Sequence, residues 1–198
     1  MSTTSSSPQQ TTGSTKQEKT RKPAHARLLI LLVFVSGACS LAVELSASRL
    51  LAPYFGTSLF IWANLIGLIL VYLTVGYYVG GRIADRFPRA SVLYGMTTVA
   101  AFLISLIPFI SRPIMQWSQS AFDTYSIGVF YGSLVSVILL FALPMILLGC
   151  VSPFAIRLSI DQLGRSGRTA GQLYAISTAG SILGTFLPVL WLIPSIGT

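Results

Sequence analysis

The residues that could do acid–base or ligand chemistry are few in this sequence: one histidine, two cysteines and five acidic residues among 198. His25 stands in a polar N-terminal stretch, and no serine–histidine–acid set assembles around it. There is no P-loop, no glycine-rich dinucleotide fingerprint and no Cys/His metal spacing. The sequence therefore predicts no catalytic residue, no metal site and no cofactor within these residues. The acid that stands apart is Glu44, set inside a long apolar run with Arg49 near the end of that run. A carboxyl group in such surroundings is costly and normally faces other protein. It is read either as a proton- or cation-handling group or as a structural hydrogen-bonding partner of a neighbouring helix.

Three other segments combine polar, glycine and proline residues. In Gly80-Gly81-Arg82-Ile83-Ala84-Asp85-Arg86-Phe87-Pro88-Arg89, Gly81, Asp85, Arg86 and Arg89 form a basic connection. There Asp85 can pair with an arginine or cap the next helix. In Gly149-Cys150-Val151-Ser152-Pro153-Phe154-Ala155-Ile156-Arg157, Pro153 marks a hinge or a plain helix end, and Arg157 reaches the interface. Pro144 adds a second kink upstream. From Gly171 to Thr185, Gly180 and Gly184 have the small-xxx-small spacing of close helix packing, as do Gly76 and Gly80 earlier. Tyr174 and Ser177 on the same segment allow a second reading, a polar stripe along a substrate path.

The elements that must position these residues follow from composition. Apolar residues make up 53% of the chain and charged residues only 9%, against about 45–50% and about 25% in soluble domains. The mean hydropathy is +0.75. So few ions cannot coat a water-facing surface, which excludes a soluble enzyme and a disordered regulator. The net charge of +8 lies in short clusters between apolar runs, a membrane pattern and not that of a nucleic-acid groove. Residues 1–26 read as a disordered basic tail, and 27–198 as a transmembrane domain. Five apolar segments, at about 28–51, 58–80, 90–111, 127–152 and 171–196, each match or exceed the roughly 20 residues that cross a bilayer as a helix. The expected fold is all-α, a polytopic bundle of five transmembrane helices.

Cation placement orients it. With the N-terminus inside, Lys16, Lys19, Arg21, Lys22, Arg27, Arg82, Arg86, Arg89, Arg157, Arg165 and Arg168 face the cytoplasm, eleven of thirteen, leaving Arg49 and Arg112 outside. The tail would touch anionic headgroups. A rival for the N-terminus, a cleavable signal ending in Ser36-Gly37-Ala38-Cys39, is opposed by the apolar sequence that resumes after Cys39. Residues 112–126 read as a short interfacial helix or a solvated loop with aromatic anchors.

Taken in order, four segments closely resemble one family: Glu44-Leu-Ser-Ala-Ser-Arg49-Leu-Leu-Ala-Pro53-Tyr-Phe-Gly56, Gly76-Tyr-Tyr-Val-Gly-Gly-Arg-Ile-Ala-Asp85-Arg86, Ser152-Pro-Phe-Ala-Ile-Arg157-Leu and Leu173-Tyr-Ala-Ile-Ser-Thr-Ala-Gly-Ser-Ile-Leu-Gly-Thr185. The family is the bacterial membrane-embedded spermidine-synthase-like proteins, or fused major-facilitator/spermidine synthases. The Gly81–Arg89 connection also resembles the G-x-x-x-D-R-x-[GP]-R loop of major facilitator transporters. The resemblance spans about 28–198 and implies a major-facilitator-like half bundle preceding a cytoplasmic aminopropyltransferase-like domain of Rossmann-like fold. Here the chain stops where relatives continue, five spans in place of six, so the expectation is the N-terminal membrane module of a truncated or split gene.

The function this implies is that of a membrane anchor or a small-cation (polyamine) pathway for a synthase domain encoded downstream or separately. Its partners would be the lipid bilayer, that domain and a second copy of itself, with no nucleic acid. Its place would be the inner (plasma) membrane with the N-terminus cytoplasmic. The alternative is a major-facilitator-like transporter or half-transporter acting as an oligomer.

Overall fold

Apolar runs this long leave the backbone no partner but itself, and the helix is the local solution. The computed structural model describes residues 23–122, 128–160 and 166–196, and these are almost wholly helical, with no strand. The elements are α1 (Pro23–Phe55), α2 (Leu59–Arg86), α3 (Ala90–Phe122), α4 (Gly128–Gly149), α5 (Val151–Ser159), α6 (Ser166–Leu187), a π turn (Pro188–Leu192) and α7 (Ile193–Ile196). Five helices, two of them counted through short interruptions, are long and apolar enough to cross a membrane. The fold class is thus an all-α bundle, as the apolar runs predicted.

Each helix outruns its apolar run, mostly at a basic end. α1 starts at Pro23 and α2 continues to Arg86, because a helix satisfies its own backbone as well among polar residues as among apolar ones. Residues 1–22, which hold most of the predicted tail, lie outside the described residues. Ser36–Cys39 sits in the unbroken middle of α1. The turn into α2 is made at Gly56, whose φ of +79° suits a residue without a side chain. Pro88 ends α2 on the other side.

The stretch after Arg112 differs from both readings of it. Neither a loop nor a separate interfacial helix, it continues α3 without a break to Phe122, past Pro108 and Pro113. Ser111, Met115 and Ser118 are all buried, and their i, i+4, i+7 spacing makes one stripe that packs into the bundle. Residues 123–127 lie outside the described residues.

α4 is the hub, packed between α2 and α3, while α1 pairs chiefly with α6. Over half of the fourth span's apolar window is buried (56%), against 17% for the third and fifth. The α1–α6 and α2–α4 pairs are both parallel. Gly180 meets Phe34 and Gly184 meets Ala38, both contacts advancing by four residues. Asn64 meets Ser133 and Gly80 meets Cys150 in the same sense. Five consecutive membrane crossings require this, since odd-numbered spans run one way and even-numbered spans the other.

The outer surface is apolar: Phe109 is 80% and Leu190 70% exposed. The three tryptophans, Trp62, Trp117 and Trp191, are all exposed and all near the end of the bundle that carries the α1–α2 turn. The opposite end carries Arg82, Arg86, Arg89, Arg157 and Arg168.

Candidate functional site along the first helix

α1 buries Val33, Gly37, Ser40, Ala47, Leu51 and Phe55. These positions fall three, four or seven residues apart, the stripe of one helix face. Glu44 occupies the one step missing from that series, between Ser40 and Ala47, and is half-buried. Its carboxylate therefore lies on the face α1 turns to the other helices. Among the described residues it makes no hydrogen bond and no ion pair.

Around Gly37 the partner of α1 is α6, whereas Ala47, Leu51 and Phe55 pack with α2, α3 and α4. A Cβ on Gly37 would collide with the carbonyl oxygen of Ser177, one on Gly180 with that of Phe34, and one on Gly184 with that of Ala38. Ser181 Oγ donates to the carbonyl of Gly37 at 3.1 Å. Carried outward, the same register sets Glu44 level with the π turn Pro188–Leu192. Pro188, which opens that turn, has no N–H to give the carbonyl of Gly184. Within the turn the N–H of Ile193 reaches back five residues to the carbonyl of Pro188.

The other residues of the predicted path are not gathered with Glu44. Ser177 lies at the crossing against Gly37. Tyr174 is 57% exposed, and its carbonyl accepts from Thr178 Oγ at 2.8 Å. Arg49, five residues beyond Glu44, is rotated by roughly 140° at about 100° per residue. It lines a separate cleft of about 290 Å³ at the tryptophan-bearing end, formed by α1, the start of α2 and the π turn.

At the arginine-bearing end, Asp85 does not cap α3. It accepts a hydrogen bond from Arg157 Nε at 2.9 Å, joining α2 to α5. Both side chains are largely exposed. Gly81 faces open space. Arg82 stacks over Tyr78 at 3.7 Å and Arg86 sits 5.8 Å from the Phe87 ring. The backbone N–H of Arg89 bonds the carbonyl of Phe87. The helix of the fourth span lapses at Cys150, just before Pro153, which leaves the Gly149 carbonyl without its usual donor. Gly149 there packs directly on the backbone of Leu73 and Gly76, so the lapse coincides with the α2–α4 crossing.

Sequence reasoning missed Asn64. Its amide donates to Ser133 Oγ at 3.0 Å and to the Phe130 carbonyl at 3.2 Å, a buried polar link between α2 and α4. The signal was present, an amide within an apolar run, but its partners lie in another helix. Among the described residues, Tyr72, Ser118 and Ser136 bury hydroxyls without a hydrogen-bonding partner. Among the described residues no three His, Cys, Asp or Glu side chains gather as metal ligands.

No family model, curated protein or solved structure matches the chain. The geometry alone therefore characterises it: among the described residues, an all-α bundle with five membrane-length apolar helices and an acid, Glu44, without a partner on the packed face of the first.

Proposed function

We propose that these residues form the membrane-embedded module of a spermidine-synthase-like protein. The module lies in the inner (plasma) membrane of a bacterium with its N-terminus in the cytoplasm. It anchors a synthase domain and offers a small cation, a polyamine, a path past Glu44. The observation that carries the pathway is Glu44 itself, an unpaired carboxyl on the packed face of α1, level with the helix break at Pro188. An acid kept at such a position without a structural partner is suited to a transient cationic one. The orientation is supported by arginines at one end and tryptophans at the other, the distribution of cytoplasmic loops and an interfacial aromatic belt. The four ordered segments that resemble the synthase-linked family support the partner.

The test is uptake and binding of labelled spermidine by purified protein in liposomes, comparing the native chain with Glu44→Gln. The native chain should take up label, and the variant should fall to the level of protein-free vesicles. Equal binding and flux by the two would remove the pathway.

A half-transporter acting as an oligomer is the second reading. It is favoured by the third and fifth spans, which bury only 17% of their apolar windows and so leave broad faces for another copy. Cross-linking in native membranes separates the two, since the anchor reading expects a monomer or a contact with a synthase domain.

A further inference from the structure

The cleft that holds Arg49 has a chemistry opposite to that of a cation path. Its walls are apolar, among them Leu65, Val189 and Ile193, with Trp62 at its side. Its polar side chains are Arg49, a donor only, and Ser48 and Thr57, whose hydroxyls donate or accept. Arg49 is exposed, with no acid paired to it among the described residues. Thr57, on the turn that starts α2, is also part of the lining, and the start of that helix adds a positive partial charge. Ser48 also lines the cleft, but its hydroxyl proton is committed to the carbonyl of Leu45 at 2.8 Å. The volume, about 290 Å³, is at the lower bound of small-molecule sites. It admits a headgroup with part of a chain, and not a whole lipid. A polyamine is repelled here.

The geometry points to a site for the phosphodiester of an anionic phospholipid, its phosphate on Arg49 and Thr57 and its acyl chain along Leu65, Val189 and Ile193. The occupant is a lipid because the donors stand at the tryptophan-bearing end of apolar helices, where headgroups lie, and because the walls below them are hydrocarbon. This rests on the membrane-embedded reading above, but not on the pathway through Glu44.

The experiment is native mass spectrometry of the full chain in detergent, with phosphatidylglycerol or phosphatidylcholine added. The native chain should retain one phosphatidylglycerol more tightly than phosphatidylcholine. Arg49→Gln should weaken that retention about tenfold, the effect of losing one charge-assisted hydrogen bond, while the basic N-terminal residues stay intact in both. Ala52→Trp, which fills the cleft and keeps Arg49, should also lose it. Glycerol 3-phosphate, which has the anion without the chains, should not displace the lipid. Retention unchanged in both variants overturns the site, as does equal retention of the two lipids. Displacement by glycerol 3-phosphate overturns the lipid in favour of a soluble phosphate. None of these outcomes alters the Glu44→Gln uptake assay, so the two proposals fail separately.

Discussion

Arg157 and Asp85, 72 residues apart in sequence, are joined by a 2.9 Å contact from Nε to Oδ1. It ties the last turn of the fourth span to the last turn of the second. The two glycines of α2 that precede it, Gly76 and Gly80, let the same pair of spans touch backbone to backbone. The ion pair therefore sits at the end of a crossing already fixed by shape.

Asp85→Asn should for that reason change stability little. Both partners are mostly exposed, and such pairs contribute less than about 1 kcal/mol. The thermal midpoint in detergent should move slightly at low salt. The difference should vanish near 1 M salt, where the screening length is about 3 Å. A large, salt-insensitive loss would show that the pair holds the bundle together.

Gly180 and Gly81 should respond in opposite directions. A side chain at Gly180 meets the backbone of Phe34, whereas one at Gly81 meets nothing. Gly180→Leu should destabilise by about 1–3 kcal/mol or more, as overpacking does. Gly81→Ala should be neutral or stabilising by about 0.5–1 kcal/mol, since alanine favours the helix. Thermal unfolding of the two variants side by side checks this.

Asn64→Leu removes both buried hydrogen bonds between α2 and α4. Interhelical polar links in membranes average about 0.6 kcal/mol and reach about 1.7, so a loss in that range is expected. Ser133→Ala should cost less, because Asn64 keeps the Phe130 carbonyl. Unfolding in denaturing detergent mixtures measures both.

Thr57 and Ser91 are exposed at opposite ends of the bundle. With Cys39 and Cys150 replaced by alanine, Thr57→Cys should react with an impermeant maleimide in intact cells. Ser91→Cys should react only after the membrane is opened. Labelling of both from one side would overturn the orientation drawn from the arginines.

The helices were legible because a bilayer-length apolar run admits one backbone solution. The spacing of Gly180 and Gly184 and of Gly76 and Gly80 marked surfaces of close approach, but spacing does not name a partner. That α1 takes α6, and α2 takes α4, depends on shape matches between residues 70 or more positions apart. The continuation of α3 was hidden by composition: Arg112, Gln116 and Gln119 read as solvent-facing and are exposed, while the buried stripe needs only Ser111, Met115 and Ser118. Glu44 was visible as an anomaly of depth. Its lack of a partner, and the separation of Arg49 into a cleft of its own, are facts of rotation about a helix axis that no short motif records.

The pairing of the first span with the fifth also sets an order of assembly. The second span can find the fourth as soon as the fourth is inserted, but the part of the first helix that receives Gly180 and Gly184 waits for the fifth. For that interval Glu44 lacks the helix break at Pro188. The step that brings that break level with Glu44 joins the two described apolar helices that lie farthest apart in sequence.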